Sequence, residues 1–157
     1  FFMKWMIASD VHGSAKWCRE MLEAFDREGA DRLLLLGDLL YHGPRNDLPR
    51  EYAPKEVLAM LNQRKEGLLC VRGNCDSEVD QMVLEFPILA DYAVFPAADR
   101  LIYATHGHHF HMNQLPPLQP GDILLHGENR QAQNKNAAQK QSQTAHGIFP
   151  PFKIAIL

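Results

Sequence analysis

Four short stretches of this chain set oxygen and nitrogen donors beside glycine: Asp10-Val11-His12-Gly13, Gly37-Asp38, Gly73-Asn74 and His106-Gly107-His108. Carboxylate, imidazole and amide oxygen together suit Mn, Fe or Zn, whereas a thiolate-selective site would lead with cysteine. The glycines allow tight turns and a close approach of backbone to ligand. Taken singly, each stretch also has a structural use. Asp10 could cap a helix, Asp38 and Asn74 could stabilise turns, and the histidines could be surface groups. Taken together, compatible donors at the ends of separate strands form a composite signal that no single turn supplies, provided the fold brings those ends to one edge. Of the cysteines, Cys70 falls in an apolar run and reads as packed, while Cys75 adjoins Asn74 and reads as lining the same pocket.

The segments between these turns alternate in type. Met6-Ile7-Ala8 predicts a short buried strand running into the first turn. Ser14 is placed to cap a helix whose Trp17, Met21 and Phe25 recur four apart, with Cys18 and Leu22 widening the apolar face, and Gly29 is placed to stop it. Arg32 to Leu36 predicts an interior strand, because a continuous leucine run suits a sheet covered on both faces. Tyr41 to Pro54, with its prolines and polar residues, predicts an irregular excursion. Pro54 then opens a second helix with Val57, Leu58, Met60 and Leu61 on its buried face, and Leu68 to Val71 is the next strand. The strand, helix, strand order favours a mostly parallel sheet with right-handed crossovers and ligand groups at the carboxyl ends of its strands. Ala93 to Phe95, Leu101 to Thr105 and Ile123 to Leu125 predict further strands, placed to form a second sheet on the first. From 129 to 147 no apolar residue exceeds Ala, so that segment is expected to add little core, and Phe149 to Leu157 reads as an isolated strand or docking tail.

A chain of 157 residues fits a single domain spanning 1–157 and is too short for two independent cores. Sixteen Lys and Arg against nineteen Asp and Glu give a net charge of -3, which supplies no basic field for strong nucleic-acid binding. No apolar run approaches the roughly 20 residues needed to span a bilayer, so no membrane partner is expected. The start of the chain lacks the pattern of a secretory leader, and three cysteines make no disulfide framework. The cytoplasm is the expected compartment.

The order D-x-H, G-D, G-N-C-D and T-H-G-H over Met3 to about Gly127 resembles the calcineurin-like metallophosphoesterases, and within them the small bacterial phosphodiesterases. That resemblance implies a four-layer α/β/β/α sandwich of two mixed sheets, the second sheet being potentially incomplete in this chain. It also implies a dinuclear site between strand ends. Asp10 and His12 would bind one metal, Asp38 would bridge two, and Asn74 and His106 would bind the second. The family closes its site with a G-H-T/S-H motif, for which this chain has Gly127-Glu128-Asn129-Arg130. Glu128 can still coordinate a cation, whereas Arg130 has no acceptor to offer. The family's leaving-group histidine after G-N is replaced by Cys75, which leaves metal-bound water or His108 to protonate the leaving group.

The resemblance therefore implies a hydrolase of small phosphodiesters, with a metal-bridging hydroxide as nucleophile and Asp38, Asn74 and His108 as its catalytic residues. Two divalent ions are implied, manganese first and zinc, iron or nickel as alternatives. Arg72, Arg45 and His42 are candidates for holding phosphate, against the ordinary reading of loop arginines as solvated. A homo-oligomer is left open. The competing reading is a catalytically degenerate scaffold or protein-interaction subunit with the same fold, which the altered final motif favours and the retained Asp10, His12, Asp38, Asn74 and His106 oppose.

Overall fold

A computed structural model describes residues 3–97 and 99–127 and the backbone of 154–156. The leucine-rich stretches form a sheet from β1 (Trp5–Ala8), β2 (Arg32–Leu35), β3 (Leu68–Cys70) and β7 (Ile154–Ile156), in the order β3-β2-β1-β7. β1, β2 and β3 run parallel, and β7 pairs antiparallel to β1. Phe149 to Leu157, expected as an isolated strand or docking tail, thus supplies a strand that joins this sheet. The second sheet is built from β4 (Tyr92–Ala97), β5 (Arg100–Thr105) and β6 (Ile123–His126), in that order, with β4 antiparallel and β6 parallel to β5. Both sheets are mixed, as expected. Pro96, which cannot donate to a ladder, is tolerated because β4 is an edge strand among the described residues.

Side-chain alternation sorts the first sheet into two faces. Met6, Ala8, Leu33 and Leu35 point towards the helices and join one core with Cys18, Met21, Val57 and Leu61. Ile7, Leu34, Leu36 and Val71 point the other way and meet Ala104 of the second sheet. Trp5 stacks on Phe95 across this second core, with ring centroids 4.9 Å apart. A strand covered on both faces needs apolar residues at every position, which is why the leucine run of β2 carries no alternation. Beyond the second sheet, Tyr92, Val94 and Leu101 are exposed, and the described residues place no helix over them.

The helix α1 (Ala15–Glu28) starts where Ser14 Oγ accepts from Trp17 N at 3.3 Å and stops at Gly29, in the left-handed conformation. α2 (Pro54–Asn62) has proline in its first turn. A short α3 (Glu78–Val83) is set by a capping box between Ser77 and Asp80 and buries none of its own residues. The polar segment 129–147 lies outside the described residues.

Candidate metal centre

Because β1, β2 and β3 are parallel, their carboxyl ends share one edge, and each delivers one turn there. The first two turns are joined beyond the strands: Asp10 N donates to Gly37 O (3.1 Å), His12 N to Asp38 O (2.8 Å) and Gly13 N to Leu39 O (2.8 Å). The second and third are packed backbone on backbone. A Cβ at Gly37 would collide with Gly73 N, and one at Gly73 with the Asp38 carboxylate, so both positions require glycine. His106 arrives from the end of β5 in the second sheet, so the site straddles the two sheets.

Asp10, His12 and Asp38 all hold φ in the left-handed region, at 64°, 50° and 59°. Such backbone costs on the order of 1 kcal/mol or more per residue and persists where surroundings over-determine it. For Asp38 the restraint is Asp76, a residue to which the sequence motifs assign no role. Its buried carboxylate accepts from the backbone N–H groups of Asp38 (2.8 Å), Leu39 (2.9 Å) and Gly73 (2.7 Å) and so clamps the second turn to the third. Its signal lies in the run Gly73-Asn74-Cys75-Asp76, where the carboxylate follows a glycine by three residues and can fold back on the turn.

The two histidines are oriented by main-chain carbonyls. His12 Nδ1 lies 2.9 Å from Tyr41 O, and His106 Nδ1 lies 2.6 Å from Leu36 O. A carbonyl only accepts, so each ring carries its hydrogen on Nδ1 and turns Nε2 inward. His12 Nε2 faces Asp10 Oδ1 at 3.3 Å and Asp38 Oδ2 at 3.6 Å, and His106 Nε2 faces Asp38 Oδ2 at 3.5 Å and Asn74 Oδ1 at 3.1 Å. In neutral rings these are acceptors aimed at acceptors, an arrangement satisfied by a cation among them or by protonation of the rings. Burial opposes a charge on His12, but hydrogen bonds to Asp10 and Tyr41 and the Asp38 carboxylate overcome it and push its pKa up to about 9. Burial likewise opposes ionisation of Asp10, yet hydrogen bonds from His12 and Ser9 (Ser9 Oγ to Oδ2, 2.6 Å) hold its carboxyl below the usual range. Asp38 goes the other way. Burial raises its pKa, and the neighbouring carboxylates of Asp10 and Asp76 add to that, against the opposing effect of His106 and the Cys75 N–H. Negative charge is thus crowded at Asp38, where a divalent cation would be most stabilising.

Asp10, His12, Asp38, Asn74 and His106 therefore come together, and their donor set fits a divalent cation. Asp10, Asp38 and His106 present ligand atoms within 4.8 Å of one another, as do His12, Asp38 and Cys75. Cys75 joins the cluster as expected, whereas Cys18 and Cys70 pack in the core. His108 stands beside His106, ring centroids 5.4 Å apart; burial and then the nearby His109 and His106 push its pKa down to about 4, so its ring is neutral at neutral pH. His42 and His108 each bury an Nδ1 that has no hydrogen-bond partner among the described residues. Arg72 is turned to Asp76 O (Nε, 3.3 Å) and Glu78 (3.5 Å). Gly127 packs so closely on Ser9 and His106 that a Cβ there would come within 2.8 Å of Ser9 Oγ. Glu128, the next residue and an expected ligand, lies outside the described residues.

Residues 3–147 match the calcineurin-like phosphoesterase superfamily domain. The chain is 48% identical over 125 residues to phosphodiesterase YfcE of Escherichia coli K12, an alignment covering 80% of this chain and 68% of that protein, and the relative in strain O157:H7 matches equally. The solved structure of YfcE, a phosphoesterase from E. coli, superposes with a TM-score of 0.74 at 48% identity, covering 76% of this chain and 66% of that one. The chain thus spans just under two thirds of the length of that solved relative.

Proposed function

The chain belongs to the calcineurin-like phosphoesterase superfamily, and from that premise we propose that it is a metal-dependent hydrolase of small phosphodiesters. In this reading Asp10 and His12 hold one divalent cation, Asn74 and His106 hold the other, and Asp38 is shared between them, with Glu128 as a further ligand. Bound there, divalent cations would activate water as the nucleophile and supply positive charge for the phosphate oxygens. Ser9 helps to orient Asp10, Tyr41 O and Leu36 O hold the tautomers of His12 and His106, and Asp76 holds the Asp38 turn in place. His108, with its pKa pushed down to about 4, would offer the leaving-group oxygen a hydrogen bond and not a proton, and Arg72 would have to leave Asp76 O and Glu78 to meet a phosphate oxygen.

The observation that carries this reading is the convergence of two imidazole Nε2 atoms on the carboxylate oxygens of Asp10 and Asp38 and the amide oxygen of Asn74, a set of ligand atoms that a divalent cation would satisfy in place of protons. Manganese leads as the metal, with zinc, iron or nickel as alternatives. Among the described residues no helix is long and apolar enough to cross a membrane, and we take the cytoplasm as the compartment because the three cysteines are free. The second reading, a catalytically degenerate scaffold, draws on Gly127-Glu128-Asn129-Arg130, where Arg130 stands in place of a ligand. Turnover of a chromogenic phosphodiester by metal-stripped protein, before and after Mn²⁺ is added back, separates the two. Hydrolysis that appears only with the ion supports the enzyme. A folded protein that stays inactive with Mn²⁺, Zn²⁺, Fe²⁺ and Ni²⁺ is a scaffold.

A further inference from the structure

The loop after β2 does more than anchor His12, because it carries a row of aromatic rings along one side of the cluster. Tyr41 O holds His12 Nδ1 at 2.9 Å, and two residues further on Gly43 turns, at φ 81°, against Cys75, where a Cβ on it would lie 3.1 Å from Sγ. A ring nitrogen of His12 and Cys75 Sγ lie within 4.8 Å of each other, so Tyr41-His42-Gly43 spans the site from one to the other. The segment is tied down along its length. Asn46 Nδ2 donates to His42 O at 2.8 Å, Ala53 N donates to Gly13 O at 2.8 Å, and the Tyr52 ring packs so closely on Gly13 that a Cβ there would come within 2.5 Å of it. His42 makes edge contacts with both Tyr41 and Tyr52, at ring-centroid distances of 4.9 and 5.2 Å. The inner rings are thereby fixed, yet Tyr41, at the end of the row, stays 43% exposed among the described residues.

We propose that the Tyr41 ring is a stacking face for the ester group that the substrate keeps, which gives the site a preference for phosphodiesters whose retained group is planar and aromatic, a nucleobase or an aryl ring. The proposal rests on the reading of the cluster as a phosphodiesterase site. Tyr41 O and the carboxylates of Asp10 and Asp38 meet opposite nitrogens of the His12 imidazole, so Tyr41 stands at least one imidazole's width back from the reacting phosphorus. It reaches a substituent on the phosphate, not the bond that breaks. The side is defined as well. His108 adjoins His106 at the end of β5, on the second sheet's side of Asp38, whereas Tyr41 adjoins His12 on the first sheet's side. With the leaving group at His108, the retained ester faces Tyr41. A ring already held by its neighbours loses little freedom when a second planar group stacks on it, and the contact is the same in the ground state and the transition state, so it acts on binding.

Three diesters that share a p-nitrophenolate leaving group and differ in the group retained test this: methyl p-nitrophenyl phosphate, bis(p-nitrophenyl) phosphate and the p-nitrophenyl ester of thymidylate. Each is assayed with Mn²⁺-loaded wild type, Tyr41→Ala and Tyr41→Phe. A substitution at 41 leaves the main-chain carbonyl on His12 in place, so metal content and circular dichroism are expected to match the wild type. Tyr41→Ala is expected to raise KM about tenfold for the two aromatic diesters, the scale of one base–aromatic stack, with kcat and the methyl ester nearly unchanged, and Tyr41→Phe is expected to behave as wild type. A KM effect on the thymidylate ester alone assigns the face to a nucleobase, and one on bis(p-nitrophenyl) phosphate alone assigns it to an aryl group. Equal losses on all three esters, a loss in kcat instead of KM, or no loss at all overturns the stacking face and leaves the phosphodiesterase standing. A folded, Mn²⁺-loaded wild type that turns over none of the three overturns both.

Discussion

His12 sits between two carboxylates, with Asp10 and Asp38 facing its Nε2 and Cys75 in the same cluster. In the metal-free folded protein it keeps its proton up to about pH 9 despite the opposing effect of burial, whereas in the unfolded chain it releases it near the ordinary 6.5. Between those values the folded state holds a proton that the unfolded state has lost, so the contribution of His12 to stability falls as pH rises from 6.5 to 9. A divalent cation takes the place of that proton, so stabilisation by Mn²⁺ is expected to grow over the same window. Thermal melts at fixed ionic strength across it check both slopes; a rise in the metal-free melting temperature would contradict the first, and a flat or shrinking Mn²⁺ increment the second. At Asp38 the informative change is Asp38→Asn, because asparagine accepts the left-handed backbone at φ 59° as readily as aspartate does. Circular dichroism should be nearly unchanged while phosphodiester turnover falls by about a hundredfold or more, the scale of losing one preorganised electrostatic partner of the transition state. Wild-type turnover in that variant would make Asp38 structural.

The turns at the carboxyl ends of the strands carry the geometry, and Asp76 governs the most constrained pair of them. Asp76→Ala leaves the N–H groups of Asp38, Leu39 and Gly73 without their acceptor in a buried site, at a cost of about 3 kcal/mol or more, and should also lower Mn²⁺ affinity because the Asp38 turn is released. Chemical denaturation and metal titration of the same preparation test the pair, and an unchanged denaturation midpoint would contradict the clamp. Much at this scale is legible from residues: Ser14 and Gly29 mark both ends of α1, Pro54 opens α2, and the strand of unbroken leucines is covered on both faces. The convergence of Asp10, His12, Asp38 and Asn74 is legible too, because parallel strands must deliver their carboxyl ends to one edge, whereas His106 comes from the second sheet and only the family resemblance places it with them. α3 is not. Its capping box Ser77-Glu78-Val79-Asp80 stands in the sequence, but a helix that buries none of its residues has no apolar stripe to show. The role of Asp76 is hidden because its partners are backbone N–H groups, whose positions no residue type announces. The pairing of β7 with β1 is hidden as well, since a lone apolar tail does not name the strand it will join.

The molecule as a whole has to keep two sheets in register, because Asp10, Asp38 and Asn74 come from one and His106 from the other. Ala104, fully buried between the sheets against Ile7, Leu34, Leu36 and Val71, is where that spacing is set. Ala104→Leu forces extra volume into this layer and should destabilise the fold by about 1–3 kcal/mol. It should also weaken Mn²⁺ binding, since His106 lies two residues further along the chain and would move away from Asp38. A variant destabilised by that amount with unaltered Mn²⁺ affinity would show that the site does not depend on sheet packing. Metal counting tests most directly whether the edge where these sheets meet is the proposed two-ion centre. Metal-stripped wild type dialysed against Mn²⁺, with protein and bound metal quantified in the same sample, is expected to hold two ions per chain, and the Asp38→Asn variant fewer. One ion or none in the wild type, or two in both proteins, would contradict the account.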